Sequence, residues 1–288
     1  MKKIIISLSL LFTVIFTSQA INPDSVRYKH QTTDTARITE VLNATRNAQL
    51  QSPADRITFI AGQFLGTPYV AATLEGEPEM LTVNTSEFDC TTFVETVIAL
   101  ALTAAVDSTT YLDFIDNLAA LRYRNGVVDG YASRLHYVTD WIACNSERNI
   151  FTEITNQNPR VAHKKISLNY MSKHRRSYPA LASNNEAYNA ILDVEKPFLN
   201  YNMPYIPKAA VGTPQCGKWL KNGDIVFITT SLQGLDVTHM GIIVFQRGMP
   251  YLLHASSKGK QVIVDPQPLS NYLQSNSNAI GIRVVRLN

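Results

Sequence analysis

The C-terminal part of the chain most narrows the possible folds, because it consists of short β-branched and aromatic segments separated by Gly, Pro and Ser turns. These segments lie at residues 225–228, 238–245, 251–255, 261–264 and 280–286. The N-terminal half instead carries apolar residues at helical spacing. Helices followed by consecutive strands predict an α+β fold in which an antiparallel sheet or barrel closes the chain.

The predicted helices lie mostly before this sheet. One covers residues 35–48, and a second begins at Pro53 after the N-cap residue Ser52. A third covers residues 90–105, and a fourth begins after Ser108 or Thr109. Residues 106–208 are interpreted as a mostly helical insertion within a single domain of residues 21–288, a length sufficient for one full core.

The N-terminus has the pattern of a secretory signal. Lys2 and Lys3 precede an apolar run at residues 4–16, and small residues lead to Ala20. We therefore expect residues 1–20 to be removed and the protein to be exported without a stable membrane anchor, to the periplasm, or outside the cell if there is no outer membrane. The formal net charge of +3 gives no indication of a nucleic-acid partner.

A single cysteine stands at the predicted start of the third helix. Asp89 is a suitable N-cap, which places Cys90 in the first turn, where free N–H groups favour a thiolate. The alternative is a buried and inert cysteine. Cys144 and Cys216 could form a disulfide and leave Cys90 free, or all three thiols could be unpaired.

Two histidines lie in neighbouring predicted strands and could supply a base for this sulfur. His239 begins one strand and His254 ends the next, so an antiparallel hairpin would bring them together. A nucleophilic cysteine needs such a base and a third group that orients it, which predicts the catalytic set Cys90, His239 and His254. Asp236 is expected on the opposite face of the strand. A zinc site made from the same three residues is the alternative chemistry.

Several motifs together resemble the NlpC/P60 cysteine peptidase superfamily, and within it the N-acetylmuramoyl-L-alanine amidase-like branch. The superfamily motifs are Gly66-Thr67-Pro68-Tyr69, Phe88-Asp89-Cys90-Thr91-Thr92, Asn222-Gly223-Asp224 and Thr238-His239-Met240-Gly241. The branch motifs are Arg134-Leu135-His136-Tyr137, Asp140-Trp141-Ile142, Tyr205-Ile206-Pro207-Lys208 and Leu253-His254-Ala255-Ser256.

The resemblance implies a papain-like fold in circularly permuted order, with the cysteine helix before the histidine strands. It also implies a Cys–His–polar triad, peptidoglycan fragments (muropeptides) as substrates, and no metal or other cofactor. Tyr69 and Asp89 match positions that hold the free amine of L-Ala in relatives that cut within the stem peptide. Thr92, where many members have glycine, is a further candidate contact.

The segment around residue 138 is dense in polar and aromatic side chains. Arg134, His136, Asp140 and Trp141 are candidate substrate contacts, because cationic groups suit muropeptide carboxylates and an indole can stack on a sugar ring. The alternative is that Tyr137, Trp141 and Ile142 belong to the core, with Arg134 and Asp140 paired.

Three functions remain open from sequence. The first is an amidase that cuts between muramic acid, or its 1,6-anhydro form, and L-Ala. The second is a γ-D-glutamyl–diamino-acid endopeptidase, and the third is a non-catalytic peptidoglycan-binding module. We expect the protein to act as a monomer.

Overall fold

A computed structural model describes residues 21–288. The predicted signal segment lies outside these residues. Within them the helices are α1 (Gln31–Asn47), α2 (Pro53–Gly62), α3 (Cys90–Ala104), α4 (Tyr111–Arg122), α5 (Val138–Glu147), α6 (Tyr170–Lys173), α7 (Pro179–Ser183), α8 (Asn185–Glu195), α9 (Lys208–Val211), α10 (Pro214–Trp219) and α11 (Leu269–Ser275).

The strands of the same region are β1 (Arg27–Tyr28), β2 (Thr82–Val83), β3 (Phe151–Glu153), β4 (Ala162–Ile166), β5 (Tyr201–Pro207), β6 (Ile225–Thr230), β7 (Val237–Gln246), β8 (Met249–Ser256), β9 (Gln261–Pro268) and β10 (Ala279–Leu287). The predicted α+β class is confirmed, and each predicted C-terminal strand is present.

The main sheet has the order β4–β5–β10–β6–β7–β8–β9, and β3 pairs with the C-terminal end of β10. All of its pairings are antiparallel, as predicted. Strands β4 and β9 lie at its two edges, so among the described residues the sheet is open and does not close into a barrel. A separate parallel pair joins β1 and β2.

The segment at residues 106–208 contains strands as well as the predicted helices. Strands β3, β4 and β5 lie within it and extend the main sheet on the β10 side. Helices nevertheless account for more of the segment than strands do. The polar sequence of β4 and the prolines of β5 weaken the usual strand pattern, and pairing partners distant in sequence stabilise both strands.

Helix α3 is the centre of the larger hydrophobic core. Every residue from 93 to 101 is buried, because α1, α2, α4, β7 and β8 all pack on this helix. A helix that is apolar all round is stable only in such an interior position. The N-terminus of α3 is thereby held against the strands that carry the two histidines.

No helix among residues 21–288 combines the length and the apolar character that crossing a membrane requires.

Candidate active site

Cys90 is the first residue of α3, and a capping box fixes its position. The Asp89 carboxylate accepts a hydrogen bond from the Thr92 N–H at 2.8 Å, and the Thr92 hydroxyl accepts one from the Asp89 N–H at 3.0 Å. These bonds satisfy two of the N–H groups that a helix start leaves free. Because Thr92 is buried and its hydroxyl is used in the cap, it is a structural residue, and the predicted substrate contact is wrong.

The Cys90 sulfur lies against β7, where it interacts with the backbone of Met240, the residue after His239. Burial, and next the Asp89 carboxylate, raise the pKa of the Cys90 thiol to about 12. The contacts with Met240 and Thr91 lower it by less. The free N–H groups of the helix start favour a thiolate, as predicted, but loss of solvation outweighs that effect here. The thiol therefore needs a base to become a nucleophile.

His239 and His254 meet across the β7–β8 hairpin. His239 Nε2 lies 2.5 Å from His254 Nδ1, and the ring planes are nearly perpendicular at 81°. Such a distance requires one nitrogen to carry a proton and the other to accept it. Because Nε2 of His239 is occupied in this way, Nδ1 is its remaining nitrogen for proton exchange with a thiol.

Gly241 makes room for this histidine pair. It lies beside His254, one residue beyond the registered pair Ile242–Leu253. A Cβ at residue 241 would lie 3.0 Å from the His254 Cβ and 2.9 Å from the Leu253 carbonyl oxygen. The absence of a side chain therefore lets His254 occupy the space beside His239.

Both imidazoles are neutral at neutral pH. Burial, with the neighbouring His254, lowers the pKa of His239 to about 3. Burial also lowers the pKa of His254, an effect that Asp265 opposes. A neutral His239 can accept a proton, which is the state that a general base requires.

A cavity of about 410 Å³ adjoins the histidine pair. His239, His254, Lys258, Asp265 and Tyr272 contribute to its wall. The Tyr272 ring, on α11, lies 5.6 Å from His254 and 6.2 Å from His239, between centroids. Burial, followed by Asp265 and Cys90, raises the Tyr272 pKa to about 12, so its hydroxyl is neutral.

Two of the predicted substrate contacts lie beside the sulfur. Asp89 precedes Cys90, and burial, Cys90 and Asp89, in that order, raise the pKa of Tyr69. The Tyr69 backbone is held by an N–H bond to the Lys260 carbonyl at 2.9 Å and by a bridge to Phe88. Tyr69 is half-buried and Asp89 is partly exposed, so both can reach a bound molecule.

Arg134 and His136 are used elsewhere in the fold, contrary to the prediction. The Arg134 guanidinium is buried, lies 3.0 Å from Glu75 and 3.4 Å from Glu79, and covers the Tyr131 ring. His136 Nε2 lies 2.8 Å from the Tyr131 carbonyl oxygen. Burial, assisted by Arg134, lowers the His136 pKa to about 3, so it is not the cation we expected.

Asp140 and Trp141 are also buried, which makes the predicted contacts wrong for these side chains. Asp140 accepts two hydrogen bonds from Arg124, at 2.5 and 3.1 Å. The Trp141 ring is 2% exposed and stacks on Phe151 at 4.9 Å, while its N–H donates to Glu95. A buried indole cannot stack on a sugar, and the alternative of a core segment with paired charges describes these residues.

Asp236 does not orient His239. Its carboxylate accepts hydrogen bonds from the Thr139 N–H at 2.6 Å and from its neighbour Val237 at 2.8 Å, which joins the start of α5 to β7. Cys144 and Cys216 are free thiols, as is Cys90. Residues 21–288 bring together no group of three or more His, Cys, Asp or Glu side chains able to hold a metal ion.

Sequence reasoning missed Asp265 and Tyr272. Asp265 Oδ2 lies 3.5 Å from His254 Nε2, on the side of the ring away from His239. The sequence Asp265-Pro266-Gln267 is typical of a turn, which gave it no apparent connection with a catalytic site. Tyr272 lies in a short helix whose packing against β9 could not be predicted.

Comparison with known proteins connects this site to a family. The chain matches the AmiA-like family model, described as N-acetylmuramoyl-L-alanine amidase-like, over residues 59–282. No curated protein matches it.

Among solved structures, an N-acetylmuramoyl-L-alanine amidase from Bacteroides uniformis ATCC 8492 is 39% identical, with a TM-score of 0.76 over 82% of this chain and 99% of that one. A protein from Bacteroides fragilis described as a putative xylanase is 40% identical, with a TM-score of 0.73 over 79% of this chain and 98% of that one.

A Legionella pneumophila protein of 23% identity shares the fold, with a TM-score of 0.69 over 89% of this chain and 95% of that one. The family match includes Cys90, His239 and His254 and extends over most of the chain. The chain therefore belongs to the N-acetylmuramoyl-L-alanine amidase-like family.

Proposed function

We propose that the protein is a cysteine-dependent N-acetylmuramoyl-L-alanine amidase that acts on muropeptides. The observation that carries the proposal is the cysteine at the N-terminus of α3, packed against the strand of a neutral histidine that a second histidine engages. The family match supports the bond type. The scissile amide joins the lactyl group of N-acetylmuramic acid, or of its 1,6-anhydro form, to L-Ala.

The first half of the reaction forms a thioester. Cys90 transfers its proton to His239 Nδ1 while the sulfur attacks the amide carbonyl carbon. The resulting oxyanion accepts hydrogen bonds from N–H groups of the first turn of α3. Asp89 engages the N–H groups of Thr92 and Phe93, so those of Cys90 and Thr91 remain for this purpose.

The second half returns the enzyme to its starting state. The His239 imidazolium donates its Nδ1 proton to the nitrogen of L-Ala, the C–N bond breaks, and the peptide leaves. A water molecule then gives a proton to His239 and attacks the thioester, which releases the muramic carboxylic acid and the Cys90 thiol. Throughout, His254 accepts the Nε2–H of His239 and keeps the ring in the reactive tautomer.

Tyr69 and Asp89 act on the substrate side of the sulfur in this proposal. Besides burial, Cys90 and Asp89 both raise the pKa of Tyr69, and Asp89 also raises the pKa of Cys90, so the three side chains lie close together. Tyr69 and Asp89 both retain some exposure. We assign them to binding the atoms next to the scissile amide. The 410 Å³ cavity beside His239 and Tyr272 takes a further part of the muropeptide.

The proposal also includes the superfamily, the cellular location and the oligomeric state of the protein. The cysteine helix precedes the histidine strands, as in the permuted papain-like order of the NlpC/P60 superfamily, to which we assign the chain. The Lys2-Lys3 signal pattern supports export to the periplasm, and we expect a monomer there. Cell fractionation and light scattering test these two points.

One experiment tests the activity. A defined disaccharide tetrapeptide is incubated with wild type, Cys90→Ala and the matched control Cys144→Ser. The control removes another half-buried free thiol, whose sulfur contacts Arg124 and Asp140. Mass spectrometry should detect free disaccharide and intact tetrapeptide with wild type and the control, and neither product with Cys90→Ala.

Other product patterns contradict the proposal. A disaccharide that still carries L-Ala-D-Glu would identify an endopeptidase. Binding without any cleavage would identify a non-catalytic module. Undiminished cleavage by Cys90→Ala would exclude the cysteine mechanism whichever bond is cut.

A further inference from the structure

The outer nitrogen of His254 is a buried polar atom without a hydrogen bond of good geometry. His254 is 1% exposed, and its Nδ1 is engaged by His239. The nearby acceptor is Asp265 Oδ2, at 3.5 Å from Nε2. A buried ring N–H without an acceptor is unfavourable, so the state of this nitrogen depends on Asp265.

Asp265 is held in a position that directs one oxygen at His254. Its Oδ1 accepts a hydrogen bond from the Gln267 N–H at 3.0 Å, which leaves Oδ2 for the histidine. A bulge in β9 begins here, because Tyr251 pairs with Pro268 whereas Leu253 pairs with Val264. Bulges turn side chains away from their regular direction and are common next to functional sites.

The two histidines have only two neutral arrangements of protons that keep their shared hydrogen bond. In one, His239 carries its proton on Nε2, donates it to His254 Nδ1, and has a free Nδ1. His254 then carries its own proton on Nε2 and needs an acceptor there. In the second arrangement, His254 donates a hydrogen bond from Nδ1, its Nε2 carries no proton, and His239 carries its proton on Nδ1.

Only the first arrangement leaves His239 able to accept the proton of Cys90. The Asp265 carboxylate accepts hydrogen bonds and cannot donate them when ionised, so it stabilises the first arrangement and disfavours the second. The distance of 3.5 Å is longer than a good hydrogen bond. Hydrogen bonds in catalytic sites commonly tighten when substrate binds.

We propose that Asp265 is a positioning residue that selects the reactive tautomers of His254 and His239, and so extends the predicted triad to Cys90–His239–His254–Asp265. The inference rests on the proposed function, because it concerns the base that the cysteine uses. It makes a prediction about the protons of the two rings that does not require any substrate.

Two substitutions separate this role from a structural one. Asp265→Asn keeps an oxygen for the Gln267 N–H and turns an amide donor toward His254 Nε2, which reverses the preferred arrangement. Asp265→Ala removes the preference without reversing it. Asp265→Asn should therefore lower kcat more than Asp265→Ala does. A purely structural role would give the opposite order, because Ala loses both the packing and the turn hydrogen bond, whereas Asn keeps them.

The expected losses are in kcat, with KM nearly unchanged. A carboxylate bonded directly to the catalytic histidine is worth about 10⁴-fold, and Asp265 acts through one more ring. We expect Asp265→Asn to lower kcat about 10²- to 10³-fold and Asp265→Ala about 10-fold, with Asp265→Glu between Ala and wild type.

The decisive measurement is nuclear magnetic resonance of ¹⁵N-ring-labelled histidine in the full chain. It should find His239 protonated on Nε2 in wild type and on Nδ1 in Asp265→Asn, at neutral pH without substrate. A wild-type His239 protonated on Nδ1 overturns the proposal, as does an unchanged tautomer in Asp265→Asn, or a smaller kcat loss for Asn than for Ala.

The tautomer readout separates this proposal from the proposed function. If wild type cuts a different bond but the tautomers follow the prediction, the role of Asp265 stands and the substrate assignment fails. If wild type is an amidase but His239 keeps one tautomer in every variant, the amidase assignment stands and Asp265 has no positioning role.

Discussion

Replacing Gly241 with alanine tests how closely activity depends on the packing of the two histidines. A Cβ at this position would lie 2.7 Å from Leu252 Cδ1, 2.9 Å from the Leu253 carbonyl oxygen and 3.0 Å from the His254 Cβ. The Leu252 methyl group belongs to a flexible side chain and can turn away. The carbonyl oxygen and the His254 Cβ are attached to the β8 backbone, so β8 itself must move.

The magnitude follows from the size of that movement. Ordinary contacts of a Cβ begin near 3.4 Å, so β8 has to shift by about 0.5 Å at the point where it carries His254. Overpacking of this kind lowers the free energy of unfolding by about 1–3 kcal/mol. Because a displacement of about 1 Å in a catalytic group can reduce turnover about 10²-fold, we expect kcat to fall at least about 10-fold.

The matched control is Gly62→Ala. No heavy atom lies within 4 Å of the Cβ that this substitution adds at the end of α2, and its backbone is not left-handed. Alanine at a helical position raises stability by up to about 1 kcal/mol. Urea unfolding and turnover of the disaccharide tetrapeptide are measured for both variants. If Gly241→Ala retained wild-type stability and kcat, tight packing of the histidine pair would not be needed, and our explanation of this glycine would be wrong.

Three further predictions concern the charges inside the fold. Arg122→Ala should lower the free energy of unfolding by about 3–5 kcal/mol, because it leaves the buried Glu95 carboxylate without the guanidinium that now lies 2.7 Å away. Urea unfolding measures this loss, and a value below about 1 kcal/mol would contradict the prediction. His136 has a folded pKa lowered to about 3, so the unfolded chain binds more protons below about pH 6.5, and stability should rise with pH between these limits. His136→Gln should flatten that rise by about 1–3 kcal/mol, and equal slopes for both proteins in urea titrations would refute the assignment. The rate at which iodoacetamide alkylates Cys90, followed by peptide mass spectrometry, should rise continuously from about pH 6 to above about pH 9, because burial raises the thiol pKa. A constant rate below about pH 7 would reveal a preformed thiolate and contradict this prediction.

The central helix and its cysteine could be predicted because their signals are local. Asp89 and Thr92 form the cap of α3 within four consecutive residues, and the apolar run that follows can be stable only in an interior. The meeting of His239 and His254 followed from a hairpin between neighbouring strands. Each of these inferences needed knowledge of only one element or one turn.

The buried charge network could not be predicted because its partners are distant in sequence. Arg134 pairs with Glu75 and Glu79 from the loop before β2, and Trp141 donates to Glu95 on α3. A polar and aromatic segment has the same local pattern whether it faces a cleft or a set of buried carboxylates. The choice depends on tertiary contacts, which periodicity does not record.

Asp265 could not be predicted for a different reason. Its relation to His254 depends on a bulge that interrupts the register between Leu253–Val264 and Tyr251–Pro268. A sequence gives the period of a strand but not the residue at which its register shifts. The strands β3 to β5 have weak local patterns, because β3 has only three residues, β4 is polar and β5 contains two prolines. Their stability comes from pairing with one another and with β10.

The proposed function depends most directly on which bond Cys90 attacks. The measurement is the mass of the products formed from a defined disaccharide tetrapeptide by the purified full chain, with Cys90→Ala as the inactive reference. We predict free disaccharide and an intact tetrapeptide that begins with L-Ala. Disaccharide that retains L-Ala, or cleavage that persists in Cys90→Ala, would contradict the account.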